Sequence, residues 1–254
     1  MMRKFRILIG HELQQYYFSS FGYAISALFL FLMGIVFFIS LKVYADFPQE
    51  EPLIMQLFKS MWLPLLFIVP TLTTKAIVAE KVDHLFDSLF LLPIPNYSIV
   101  CAKFFVIYLL YASLWTIVAF FPEIAQKNAA SLANFNHLTK IYTRWGGWFF
   151  VNLVGGFVIA FGLLISSYAK TTATSMIATI VGIFLFLVSG QLFKHASAIS
   201  LNQSEVFASL YDNWNVFFQL EDFCRGIFDT RVILFYLTFT AATLAITTIT
   251  LRKN

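Results

Sequence analysis

Six apolar runs, each close to the ~20 residues an α-helix needs to cross a hydrocarbon layer about 30 Å thick, decide most of what this chain can become. They fall at about 21–44, 58–75, 99–121, 147–168, 173–193 and 232–251. Backbone polar groups find no water inside a bilayer, so each run must satisfy its own N–H and C=O groups as a helix. The middles of the runs carry no charge. Lys42, Lys75 and Lys103 stand near their ends, where long side chains reach back to the headgroups. Pro64 and Pro70 lie inside the second run, which is expected to bend. Only 12% of the residues are charged. A soluble domain carries about 25% and needs that polar surface to stay in water. The expectation is an all-α, polytopic membrane protein, one domain over residues 1–254, with six transmembrane helices.

Three flanking stretches are patterned differently. Over about 3–19, Phe5, Leu8, Ile9, Leu13 and Tyr16 share one helical face, and Lys4, His11, Gln14 and Gln15 oppose them. Such a helix can lie in the membrane plane as an elbow, with Phe5, Leu8, Leu13 and Tyr16 at the lipid boundary, or stay solvated beside the first span. A cleavable signal peptide is not expected. The apolar run that follows is of spanning length, and no small-residue cleavage site ends it. Lys75–Ser98 is the second stretch. Its apolar stripe is Val78, Val82, Leu85, Phe86 and Leu89, while Glu80, Asp83, His84 and Asp87 take the other face. Pro93 has no amide hydrogen and Pro95 forces Ile94 out of helical geometry, so this helix ends there. The third stretch, about 214–229, is apolar enough to dip back into the membrane or to remain a loop on its surface.

Six crossings return the chain to its starting side. Lysine and arginine divide nearly evenly between the two sides, so the positive-inside rule acts through local features. Arg3, Lys4 and Arg6 precede the first span, Lys170 sits in the tightest turn, and Arg252 and Lys253 follow the last span. These favour cytoplasmic termini, a cytoplasmic 75–98 stretch, and outer connections at about 45–57, 122–145 and 194–231.

Reaction chemistry is not indicated. No Gly-rich phosphate cradle with its Lys-Ser/Thr is present. His11-Glu12 lacks a second histidine at zinc-protease spacing, and His84, His137 and His195 fall in separate segments. No serine, histidine and acid can be grouped into a nucleophilic set, and no acid or base stands in mid-membrane. The expectations are no enzyme activity, no cofactor and no metal. Basic residues interleaved with aromatics are also missing, so nucleic acid is not an expected partner. Cys101 and Cys224 are far apart and are not expected to pair. Gly155, Gly156, Ala160 and Gly162, then Ser175, Ala178, Thr179 and Gly182, then Ala241, Ala242 and Ala245 form small-residue faces. These suit close helix packing, within the bundle or between subunits.

Four features together resemble a known family. One is the helix 3–19 followed by Phe21-Gly22-Tyr23. The second is Lys75, Glu80-Lys81, Leu92-Pro93, Ile99 and Lys103 in that order. The third is Gly162-Leu163-Leu164-Ile165-Ser166-Ser167. The fourth is Phe223-Cys224-Arg225-Gly226-Ile227-Phe228-Asp229 before the last span. With these the chain resembles, over nearly its whole length, the membrane-spanning permease subunits of type 2 ABC transporters. The branch is that of gliding-motility and nitrous-oxide-reductase accessory permeases. It departs from that pattern at His84-Leu85, where relatives often have Gly-Thr, and at Ala79-Glu80, where they have an acidic pair.

The resemblance implies a subunit of the bacterial cytoplasmic membrane, an exporter component, paired with a second permease subunit, the same or different. A separate cytosolic ATPase would drive it. The 75–98 helix would be the coupling helix, with Val78, Glu80, Lys81, Asp83, His84 and Asp87 at the docking site and Pro93 and Pro95 stiffening its exit. Arg225, Gly226 and Asp229 would form an outer-loop motif. Two other readings stay open at this point: a membrane scaffold or assembly subunit of a motility or secretion system that moves no substrate, and an enzyme acting on membrane lipid.

Overall fold

The computed structural model describes residues 2–46, 52–82, 96–128, 141–199 and 215–253, and no strand occurs among them. The helices are α1 (Met2–Tyr17), α2 (Ser20–Asp46), α3 (Leu53–Lys59), α4 (Trp62–Thr74), a π-helical turn (Lys75–Ala79), α5 (Glu80–Val82), α6 (Asn96–Ala119), α7 (Phe121–Asn128), α8 (Ile141–Tyr168), α9 (Thr172–Ile199), α10 (Val216–Cys224) and α11 (Thr230–Lys253). Six helical stretches are long and apolar enough to cross a membrane: Ser20–Tyr44, Trp62–Ala79, Tyr97–Ile124, Thr143–Tyr168, Thr172–Gly190 and Thr230–Leu251. The chain is a multi-pass, all-α membrane protein.

Burial separates the spans, with α6 intermediate at 44% of its window. In α8 and in α4 with its π turn, 67% and 61% of the spanning window is enclosed by protein, against 22% in α2 and α11 and 28% in α9. The first pair forms the interior. The last three turn Phe31, Phe38, Ile177, Leu185, Leu234 and Ile249 outward, an apolar surface suited to lipid or to another apolar partner. Small residues let the interior close. A Cβ on Gly155 would stand 2.1 Å from the Tyr111 ring, and one on Gly162 would stand 2.7 Å from the Thr73 hydroxyl. Gly182 likewise admits Phe161. The small face of the fourth span and, Ala178 apart, that of the fifth are thus used inside the bundle, whereas Ala241, Ala242 and Ala245 of α11 face outward.

The second span lies about four residues later than the sequence suggests, at 62–79 rather than 58–75. Residues 53–59 form α3, a separate helix whose Leu53, Ile54, Met55, Leu57 and Phe58 are buried. Pro64 sits in the first turn of α4, where no helical N–H partner is needed. Pro70 is interior, and nearby hydroxyls return hydrogen bonds to carbonyls around it: Thr71 to Phe67 at 2.6 Å and Thr73 to Val69 at 2.9 Å. The helix then continues past Thr74 through the π turn.

The stretch near 214–229 is a built part of the bundle. Asn215 caps α10, its side-chain oxygen accepting from the amides of Phe217 and Phe218. Gln219 accepts from the Tyr236 hydroxyl at 3.0 Å, and Glu221 pairs with Lys59 of α3 at 2.8 Å. Gly226 ends α10 with φ 86°. There the Ile227 amide reaches back to the Asp222 carbonyl and the Gly226 amide to the Phe223 carbonyl, a cap that favours glycine for its left-handed backbone. Asp229 then caps α11 by accepting from the Arg231 amide at 2.8 Å.

Candidate functional site

At the end of the bundle where α4 stops and α6 begins, three charged side chains meet inside the protein. Lys103 Nζ donates to Glu12 Oε1 at 2.8 Å and to Glu80 Oε1 at 2.6 Å. The Lys103 side chain is 1% exposed, that of Glu12 3% and that of Glu80 13%. One ammonium therefore joins the N-terminal helix, the end of the second span and the start of the third.

Each member is delivered by local structure. Leu8, Glu12 and Tyr16 follow one another at steps of four, so Glu12 stands in the middle of the buried stripe of α1. On α6, Ile99, Ala102, Val106 and Ile107 are buried around Lys103 on the same face. The π turn places Glu80: one extra residue in a turn rotates everything beyond it by about 100°. The Thr73 carbonyl at the start of that wider turn accepts from Ser166 of α8 at 3.0 Å, and Thr74 donates to Ser175 of α9 at 3.2 Å.

The surroundings hold the triad in place. Tyr16 donates its hydroxyl to the Leu72 carbonyl at 3.3 Å. Burial, then the charges of Glu12 and Glu80, raise its pKa well above the ordinary tyrosine value. Lys81 reaches the Ser167 carbonyl at the end of α8, 2.8 Å away, and burial lowers its pKa. Lys75 lies 3.6 Å above the Phe21 ring, a cation–π contact. For Glu80, burial raises the pKa. The charge of Lys103 opposes that rise and the charge of Glu12 adds to it.

The residues singled out in the sequence fall in several places. Glu80 and Lys81 make the contacts above. Val78 is fully buried with Ala76 and Ile77, so this part of the stretch is the tail of the second span rather than a surface helix. Asp83, His84, Asp87, Pro93 and Pro95 lie outside the described residues. Phe5 falls within α1. Leu8 packs on Ile99 and Ala102 of α6, Leu13 packs at the edge of the core, and Tyr16 is inside it. The helix runs alongside α6, meeting it in matching chain order: Leu8 at Ile99 and Ala102, Glu12 at Lys103, and Tyr17 at Ser113. Its apolar face is turned to protein, not to lipid. Phe18 and Ser19 make the bend into α2, and the Tyr16 carbonyl approaches Gly22 so closely that a Cβ there would stand 1.5 Å from it. Arg225, Gly226 and Asp229 sit at the far end of the bundle as parts of the two helix caps.

Glu12 and Lys103 were not picked out as site residues by the sequence reading, which placed Lys103 at a span end with its charge in the headgroups. The available signal was positional: each is a charge on the apolar side of its own helix. The chain matches no model of a known protein family and no curated protein.

Proposed function

We propose that the chain is the membrane-spanning permease subunit of an ABC transporter, an exporter, with ATP hydrolysis on a separate cytosolic subunit that docks on the stretch between the second and third spans. The observation that supports this most is the Glu80–Lys103–Glu12 triad at the neck of that stretch. A force applied to residues 83–95 would pass through this neck. There Glu80 and Lys103 clamp the second span to the third, Glu12 carries the force to α1, and Lys81 carries it to the end of α8 through Ser167. Asp83, His84 and Asp87 are the polar groups that such a partner would meet, and a second permease subunit would complete the assembly.

The test is isolation of the tagged protein from its native membrane, followed by ATPase assay of what accompanies it. A nucleotide-hydrolysing partner in stable ratio is expected, and Asp87→Lys should lower transport per ATP hydrolysed without lowering the amount of protein in the membrane. Isolation without such a partner, or full coupling in Asp87→Lys, counts against the reading.

A further inference from the structure

We propose that Glu12 and Glu80 bind one proton between them, forming a proton-holding site at the shared end of the second and third spans. Lys103 satisfies only one oxygen of each carboxylate. Glu12 Oε2 and Glu80 Oε2 are both buried with no hydrogen-bond partner. Among the described residues, two carboxylates against one ammonium leave a surplus negative charge in a largely buried place. Like charges sharing a site ionise in two separated steps, and the second proton is hard to remove.

Among the described residues, most neighbouring groups are engaged elsewhere. On α1, the exposed His11 contributes a charge that opposes the rise at Glu80, and the Tyr16 hydroxyl is committed to the Leu72 carbonyl. Along the π turn and α5, Lys75 lies over Phe21 and Lys81 is bonded to Ser167. On α6, besides Lys103, the titratable groups nearest this end are Tyr97, exposed at the first turn, and Cys101, partly buried, with Tyr108 and Tyr111 further along the span. From α8 and α9, the hydroxyls of Ser166, Ser167 and Ser175 at this end are used in donating to Thr73, donating to Leu164 and accepting from Thr74 respectively. A proton taken from water removes the surplus charge and turns an oxygen without a donor into a donor itself. Glu80, the more exposed of the pair, gives the proton its way in. The raised pKa of Glu80 points in the same direction.

Infrared spectroscopy of the purified protein tests this. At about pH 6 an isolated glutamate is ionised. The wild-type protein is expected to show a carboxylic-acid carbonyl band there that shifts in D2O. That band should vanish in Glu12→Gln and equally in Glu80→Gln, because either change leaves one carboxylate for one ammonium. Both variants should melt no lower than wild type, since the amide has the shape of the protonated acid. Absence of the band in the wild-type protein, or its persistence in either variant, overturns the proposal. So does a loss of melting temperature in both variants as large as that of Lys103→Met, which would mark a fully ionised triad.

Discussion

Lys103 Nζ lies 2.6 Å from the carboxylate of Glu80, 23 positions earlier in the chain, and so closes the neck of the stretch between the second and third spans. With Glu12 at 2.8 Å on the same nitrogen, one side chain fastens three helices. Removing one partner of a buried ion pair leaves charge without compensation and costs about 3–5 kcal/mol. Lys103→Met is therefore expected to lower stability by about that much, read as a fall in melting temperature in detergent and in the amount of protein recovered from membranes.

The π turn has its own signature. Inserting one alanine between Ala79 and Glu80 adds a helical residue beyond the turn and swings Glu80 by about 100° away from Lys103. Stability should fall. The further cost of Lys103→Met in that background should be much smaller than in the wild-type protein, because the two changes break the same contact. Full additivity in the double-mutant cycle would show that the turn does not aim Glu80.

Glu80 also sets a pH dependence. Its pKa is raised above the ordinary 4.5 by burial, against the pull of Lys103, so the folded protein holds this proton more tightly than the unfolded chain does. The stability this supplies is complete below about 4.5 and is lost as pH rises through the raised value. Melting temperature should therefore decline with pH above the ordinary glutamate range, and Glu80→Gln should flatten that decline. A profile that rises with pH over the same range in the wild-type protein contradicts the assignment.

Two glycines within spans should respond oppositely to alanine. Gly155→Ala puts a methyl 2.1 Å from Tyr111 Cε1, and overpacking of this kind costs about 1–3 kcal/mol. Gly34→Ala meets nothing within 4 Å and gains helix propensity, so it should be neutral or stabilising. Paired melting curves of the two variants decide the matter.

The spans were legible because hydrophobic length is a local property of sequence. Five of the six stretches agree with the apolar runs to within a few residues. The exception, 58–75 against 62–79, arises where two helices adjoin: Phe58 is as apolar as a span residue yet belongs to α3, where it packs beside Trp115. The helix caps around Gly226 and Asp229 were present in Phe-Cys-Arg-Gly-Ile-Phe-Asp as residue types, but they drew notice as a family motif rather than for their backbone chemistry. Of the three members of the candidate triad, one was legible. Glu80 stood out as a polar residue beside an apolar stripe. Lys103 did not, because a lysine near the end of a span has an easy explanation in the headgroups. Nothing in residues 75–79 announces a π turn, since it depends on what α8 and α9 offer to the carbonyls and hydroxyls of Thr73 and Thr74.

The contacts of α1 bear on the order of assembly during synthesis. Tyr16 is bonded to a carbonyl 56 positions later, Glu12 to an ammonium 91 positions later, and Tyr17 to a hydroxyl 96 positions later. This helix leaves the ribosome before α4 and α6, so Tyr16 has no partner until the second span has been made, and Glu12 and Tyr17 have none until the third. It must wait at the membrane surface with Glu12 in water, and its docking is a late event that reports the second and third spans already in place.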